Sequence, residues 1–423
     1  MAKSSQKKSE QSAQASLFAM PDELLLEFIQ RQTFKYFWEF AHPNCGMACE
    51  RNSEEYRNVV TTGGSGFGLM AMIVASERGW ISFADLIDRI NQILDFLFHC
   101  ETFYGAFAHW YNGNTGKALT FGKKDDGADL VETSFLMMGL LTVRQYLQSK
   151  DEATYRRVID KINALWLTVE WDRFTRGKNV LFWHWSPHHR RQLRLKIEGY
   201  NEALVTYVLA ASSPTHTIDA KVYHEGWARN GEMKNGKSFY NTILPLGPDY
   251  GGPLFFAQYS FLGLDPRNLE DRYANYWKQN LAHTRINLAH CINNPKNYRG
   301  HAANCWGLSA CDSGKRYKPF SPTRDNGTIC PSAAISSLPY TPGASMATIK
   351  HFYFDMGKKI WGAYGFADAF NKNRSWYAKS YLAVNQGPIV VMIENYRSGL
   401  IWDLFMSCPE VKDGLGKLGF AGF

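Results

Sequence analysis

Apolar residues recur at helical spacing along most of the chain, and this one period restricts the fold more than any local motif does. Leu25, Leu26, Phe28, Ile29, Phe34, Phe37 and Trp38 form a broad apolar face behind Asp22, a residue suited to cap a helix, and predict a first helix over 22–40. Ser82 to Asp85 has the form of a capping box, and Leu86, Ile87, Ile90, Ile93, Leu94 and Leu97 follow at the same period. Further helices are predicted over 128–149, 153–170, 200–212, 217–229, 268–291 and 342–357, the last with Thr341 as cap and Pro342 in the first helical position. Glycine-rich or aromatic loops at 62–68, 104–110, 182–187 and 249–253 lie between them. The 62–68 glycine loop has no Lys-Ser/Thr after it and no strand before it, so it is not a phosphate cradle. No domain-scale linker breaks the series. Helical hairpins joined by alternating short and long loops close into a ring with a cleft at one end. The expected fold is all-α, a single (α/α)6 toroid over 18–423, behind an N-terminal segment, 1–17, read as disordered or appended.

Composition narrows the partners. A net charge of +8 and the basic run 188–196 invite a nucleic-acid reading, but no nucleic-acid fold signature accompanies the run, which reads as a solvated face. Eight cysteines form no C-x-x-C pair, and the Cys45/Cys49 spacing lacks a second close pair, so no metal is expected. Their even number permits disulfides without demanding them. The first sixteen residues hold no apolar core of an export signal, and no run approaches the roughly 18 apolar residues that span a bilayer. The 13 Trp, 22 Tyr and 27 Phe are abundant enough to pack a core and still leave platforms for flat apolar ligand faces such as sugar rings.

Two acidic stretches stand out. Asp125, Asp129 and Glu132 crowd the start of one apolar helix, and Glu202 precedes the apolar run 203–210 of another. If the first helix begins near 126, its three carboxylates line one side of the first two turns, where the helix dipole favours the ionised form that suits a general base. Capping and first-turn acids give the same pattern without catalysis. Glu202, in apolar surroundings that raise a carboxyl pKa, suits a proton donor. An acid poised as base and another as donor, with Trp110, Trp183 and Trp185 at hand for stacking, is the arrangement glycoside hydrolysis requires.

The segments 125–133 (DDGADLVET), 183–187 (WHWSP), 199–203 (GYNEA), 213–216 (SPTH), 251–259 (GGPLFFAQY), 306–312 (WGLSACD) and 382–395 (LAVNQGPIVVMIEN) together resemble the bacterial glycoamylase-like family, and within it glycoside hydrolase family 144, the endo-β-1,2-glucanases and their sophorose-releasing relatives. The resemblance runs in matching order from about Phe34 to Leu404. It implies an (α/α)6 barrel that hydrolyses β-1,2-glucan at internal linkages with inversion and without a cofactor, the alternatives being an exo-acting, sophorose-releasing or glucoamylase-like hydrolase and a glycan-binding protein impaired in catalysis. It places the essential acids on Asp125, Asp129, Glu132 and Glu202, with Glu202 as general acid and Asp129 or Asp125 handling the water. His109, Trp110, Trp183, Trp185, Asp312, Asn385, Gln386 and Glu394 are the candidates for lining the substrate cleft, although His109 and the tryptophans fit a core equally well and Glu394 could pair with Arg397 or Arg51. Where the family tends to read Asp-Gln-Gly-Pro, this chain has Asn385-Gln386-Gly387-Pro388, and an asparagine cannot serve as a base. A monomer in the periplasm or outside the cell is the setting such an enzyme implies; the cytoplasm is the alternative, since no export signal is written.

Overall fold

The computed structural model describes residues 20–314 and 316–423, so the expectation for 1–17 lies outside the described residues. The chain is an all-α toroid. Its helices are α1 (Asp22–Trp38), α2 (Thr62–Glu77), α3 (Phe83–Leu97), α4 (Leu130–Thr168), α5 (Leu204–Ser212), α6 (Tyr276–Asn293), α7 (Pro331–Ile335), α8 (Pro342–Lys350), α9 (Gly357–Ile360), α10 (Ala383–Arg397), α11 (Leu400–Ser407) and α12 (Pro409–Lys417). The inner ring runs α2, α4, α5, the 3-10 turns of 254–262, α7 and α10, which packs back on α2. The link between 254–262 and α7 is a hydrogen bond from Gln258 Nε2 to the Ala333 carbonyl at 2.9 Å. Outside this ring, α1 lies against α2 and α10, while α3 lies against α2 and α4.

The sequence-based helices appear with shifted ends. Ser82 caps α3 by accepting from the Asp85 N–H, and Asn275 caps α6 through Lys278. The two helices predicted at 128–149 and 153–170 are one run broken at Asp151, whose φ of −164° leaves the helix. The first of these begins at Leu130, with Asp129 as its cap, so Asp125 stands in the preceding turn and not on a helical face. The 200–212 helix likewise begins at Leu204, leaving Glu202 in the turn before it. In the region predicted as 217–229, the structure has a wide helical turn, Val222–Trp227, in place of a regular helix.

The glycine stretch 62–68 is a correction: it is the first two turns of α2, fully buried. A Cβ on Gly66 would lie 2.1 Å from the Phe135 carbonyl oxygen, and one on Gly139 would lie 2.3 Å from the Gly66 carbonyl oxygen. The glycines permit backbone contact between α2 and α4, and the resulting burial offsets their poor helix propensity. Helix α10 is also absent from the periodicity, because its Asn385-Gln386-Gly387-Pro388 opening reads as a turn while Pro388 in fact sits inside the helix.

Short strands dress the cleft end. β1 (Val59–Thr61), β2 (Trp110–Asn112) and β3 (Ala118–Leu119) make a three-stranded sheet in which Thr61 pairs with Trp110. β4 (Ala128–Asp129) pairs antiparallel with β5 (His184–Trp185), setting Asp129 opposite His184, and a bridge from Ala108 to Ala128 brings His109 alongside. All eight cysteines are free thiols. Among the described residues no helix is long and apolar enough to cross a membrane.

Candidate active site

The inner helices aim their N-termini at one cavity of about 880 Å³. Their leading residues line it: Thr61 ahead of α2, Asp129 ahead of α4, Glu202 ahead of α5 and Leu382 ahead of α10. Partial positive charge at these ends favours carboxylates where the chain supplies them.

Asp129 is 1% exposed. Its Oδ1 accepts from the Val131 and Glu132 N–H groups, each at 3.0 Å, and its Oδ2 accepts from His109 Nδ1 at 2.9 Å. The Nε2 of the same imidazole lies 4.0 Å from Glu132 Oε1, and Glu132 Oε2 accepts from the Gly63 N–H at 2.7 Å. His184 Nε2 continues the series, 3.0 Å from Asp125 Oδ2 and 3.9 Å from Asp129 Oδ2. Acids and imidazoles therefore alternate along the strand-paired segments 109, 129 and 184, which limits the repulsion that three clustered carboxylates would suffer.

Burial opposes charge at His109, Asp129, Glu132 and Glu202, and the partners decide the outcome. At His109 desolvation favours the neutral ring, but Glu132, Asp129 and Asp125 outweigh it and hold the imidazole pKa up at about 9. Burial would raise Asp129, yet the His109 hydrogen bond and the nearby imidazoles bring it below the usual carboxylate range. Glu132 stays raised by burial, against the pull of His109. Glu202 is pushed up to about 7 by burial and by the Asp129 and Glu132 charges. Among the described residues no side chain donates to its carboxyl; Ser260 instead donates to its backbone carbonyl.

Aromatic rings wall the cavity. His109 stacks on Phe121 with centroids 3.9 Å apart, and Trp110 meets Phe121 edge-on at 4.9 Å and Tyr56 at 5.7 Å. Trp183 lines the same space. Trp185 points elsewhere and packs on Phe103 and Tyr104. Asp312 stands behind the lining residue Arg51, to which it is ion-paired at 3.2 Å. Asn385 and Gln386 are buried in the wall: Asn385 Nδ2 donates to Asp368 Oδ1 at 2.6 Å, and Gln386 Nε2 donates to the Phe366 carbonyl at 3.0 Å. Glu394 lies farther along α10, paired with Arg78 at 2.8 Å. It does not pair with Arg397, which holds Glu23 and Glu27, or with Arg51, which holds Glu50 and Asp312.

His184, Arg51 and Tyr259 belong to the cavity, and no sequence signal marks them individually. His184 sits inside the Trp183–Pro187 segment, where its tryptophan neighbours draw the eye. Arg51 comes from the loop ahead of β1, and Tyr259 from between the 3-10 turns of 254–262. Asp125, Asp129 and His184 offer three ligand atoms within 4.8 Å of one another. His184 Nε2 lies 3.0 Å from Asp125 Oδ2, the closest contact within this group.

Residues 194–409 match the family described as "Putative glucoamylase", and residues 29–199 match a second family of unknown function. The chain is 50% identical to an endo-β-1,2-glucanase from Chitinophaga pinensis, solved with sophorotriose and glucose, with a TM-score of 0.93, covering 95% of this chain and 99% of that one. It is equally 50% identical, at a TM-score of 0.93, to a glucoamylase-type protein of Bacteroides uniformis, covering 95% of this chain and 98% of that one. A curated relative from Parabacteroides distasonis, an exo β-1,2-glucooligosaccharide sophorohydrolase acting at the non-reducing end, is 41% identical over 96% of this chain, which spans 59% of the relative's length. The helical ring, the acids at its inner-helix mouths and these end-to-end matches agree: the chain belongs to the glycoamylase-like family, glycoside hydrolase family 144.

Proposed function

We propose that the chain hydrolyses β-1,2-linked glucan at internal linkages, with inversion, releasing sophorose and short oligosaccharides. One observation carries the reading: at the inner-helix mouths Glu202 is a desolvated carboxyl that no described side chain stabilises as an anion, whereas Asp129 and Glu132 share the His109 cation. Glu202, held protonated by burial, donates its proton to the departing sugar oxygen, directly or through a substrate hydroxyl. Both Asp129 oxygens are already engaged, and Asp125 is turned to His184. Glu132 keeps Oε1 toward the cavity, so it takes the attacking water, with Asp129 as the fixed negative charge that holds His109 in place. A carboxylate raised toward neutrality is the stronger base, and the imidazolium beside it keeps it ionised.

Two of the relatives support the substrate through the activities in their names. Internal cleavage follows the Chitinophaga enzyme, which this chain covers almost completely. The Parabacteroides relative favours a second reading, release of sophorose from the non-reducing end. Product analysis on linear β-1,2-glucan separates them. A ladder of oligosaccharides early in the reaction supports internal cleavage, sophorose alone supports terminal release, and no new reducing ends would overturn both.

A further inference from the structure

Behind the cavity wall lies a buried acid that the proposed chemistry does not use. Asp368 is 2% exposed, on the segment between the Gly365–Phe366 and Phe370–Asn371 strands. Its Oδ1 accepts from Asn385 Nδ2 at 2.6 Å and its Oδ2 from the Asp312 N–H at 2.7 Å, while its own N–H donates to the Ser380 carbonyl at 2.9 Å. Asn385 also donates to the Ala310 carbonyl at 3.0 Å and accepts from the Tyr259 hydroxyl at 3.3 Å. Asp312 in turn holds Arg51 at 3.2 Å and accepts from the Ser380 hydroxyl at 2.5 Å. The Arg51 guanidinium is also clamped by Glu50 and lies 5.0 Å above the Tyr56 ring. Arg51 lines the cavity together with Tyr259, Ser380 and Ala310.

Each of these hydrogen bonds ends on a lining residue or on the residue that anchors one. The contrast is with the buried Asp325, whose side chain meets His290 and His301 away from the cavity. We propose that Asp368 is a positioning residue for substrate binding, which acts through Asn385 and the Asp312 backbone to fix the Arg51 arm of the cleft.

The direction of the hydrogen bonds explains the residue at 385. Both Asp368 oxygens accept, so position 385 must supply a donor, which asparagine has and an ionised aspartate lacks. An aspartate there would bring two buried carboxyls together, and one would have to carry a proton. Exchanging the two residues restores one donor and one acceptor across the contact, and the amide oxygen then present at position 368 still accepts from the Asp312 N–H, while the Ala310 carbonyl loses the donor that Asn385 gave it.

The inference rests on reading the cleft as a β-1,2-glucan site, and one experiment tests the two separately. kcat and KM on linear β-1,2-glucan are measured for the wild type, Asp368→Asn, Asn385→Asp, the exchanged double variant, Arg51→Ala, and Arg51→Ala combined with Asp368→Asn. Each single change at 368 or 385 should raise KM about tenfold with kcat held within about threefold, the cost of one misdirected buried hydrogen bond. The exchange should bring KM below that of either single variant, short of the wild type because the Ala310 carbonyl stays without its donor, and Asp368→Asn should add nothing to Arg51→Ala. Unchanged KM in both single variants, a fall in kcat alone, or multiplying effects with Arg51→Ala would overturn the positioning role. If Asp368→Asn does not fold, Asn385→Asp and the exchange decide by the same criteria. A wild type that leaves the glucan intact sinks the substrate reading, and sophorose affinity by calorimetry across the same variants then decides the role of Asp368.

Discussion

His109 Nδ1 lies 2.9 Å from Asp129 Oδ2, and the opposite nitrogen of the ring faces Glu132. An imidazole with carboxylates on both sides is a cation, with its pKa held near 9. Replacing it by His109→Gln leaves two buried acids without a counter-charge. We expect kcat to fall about a hundredfold, because the proposed base, Glu132, loses its orientation and its ionised form. The stability signature has a definite sign. The folded pKa is raised above the ordinary 6.5, so the proton's contribution is fully present below that value and is lost as pH rises through 9. Melting temperature of the wild type should decline across that window, and that of His109→Gln should start lower and stay flat; parallel curves would show that the ring is neutral.

Glu202 makes the complementary prediction. As the proposed proton donor it must be protonated, so activity should fall as pH rises through about 7. Glu202→Gln should lower kcat about a thousandfold and remove that limb from what remains. Because the folded form holds its proton above the ordinary 4.5, the wild type loses stability relative to the variant between 4.5 and 7. Glu202→Gln should therefore melt higher than the wild type at a pH of about 8 and about equally at a pH of about 4. Full activity in the variant would reassign the donor.

Two glycines in helices should respond to alanine with opposite signs. In Gly66→Ala the new methyl would meet the Phe135 carbonyl oxygen at 2.1 Å, and the α2–α4 contact must spread, at a cost of about 3 kcal/mol. Gly343, in the first turn of α8, has nothing within 4 Å of its Cβ position, so alanine there only removes backbone freedom from the unfolded chain and stabilises by about 0.5–1 kcal/mol. Urea unfolding midpoints of the two variants check both signs.

The glycines also mark what the sequence conceals. Periodicity finds a helix by its apolar stripe, and it locates α1, α3 and α6, each with a solvated side. Helix α2 has no such side: residues 62–75 are all buried, so its glycines read as a loop when they are contact points. The site divides in the same way. Asp129, Glu132 and Glu202 are legible because a carboxylate beside an apolar helix is rare and costly. His184 and Arg51 reach the cavity through pairings between distant segments, His184 with Asp129 and Arg51 with Leu382, which no local pattern encodes. Asn385 stands out in sequence as a missing acid, and its meaning depends on Asp368, seventeen positions away and unremarkable in sequence.

Glu394 separates holding the fold together from serving the cleft. Its 3% exposed carboxylate takes two hydrogen bonds from Arg78, at 3.0 and 2.8 Å, one from Gln30 at 3.1 Å and one from Ser398 at 2.7 Å. It thereby ties α10 to α1 and to the end of α2. Glu394→Gln would direct an amide N–H₂ at one of these donors and leave the Arg78 cation short of its partner, which costs about 3 kcal/mol. None of its contacts touches the cavity. The variant should unfold at markedly lower urea while its folded fraction keeps the wild-type KM for β-1,2-glucan; a raised KM with normal stability would return Glu394 to the substrate cleft.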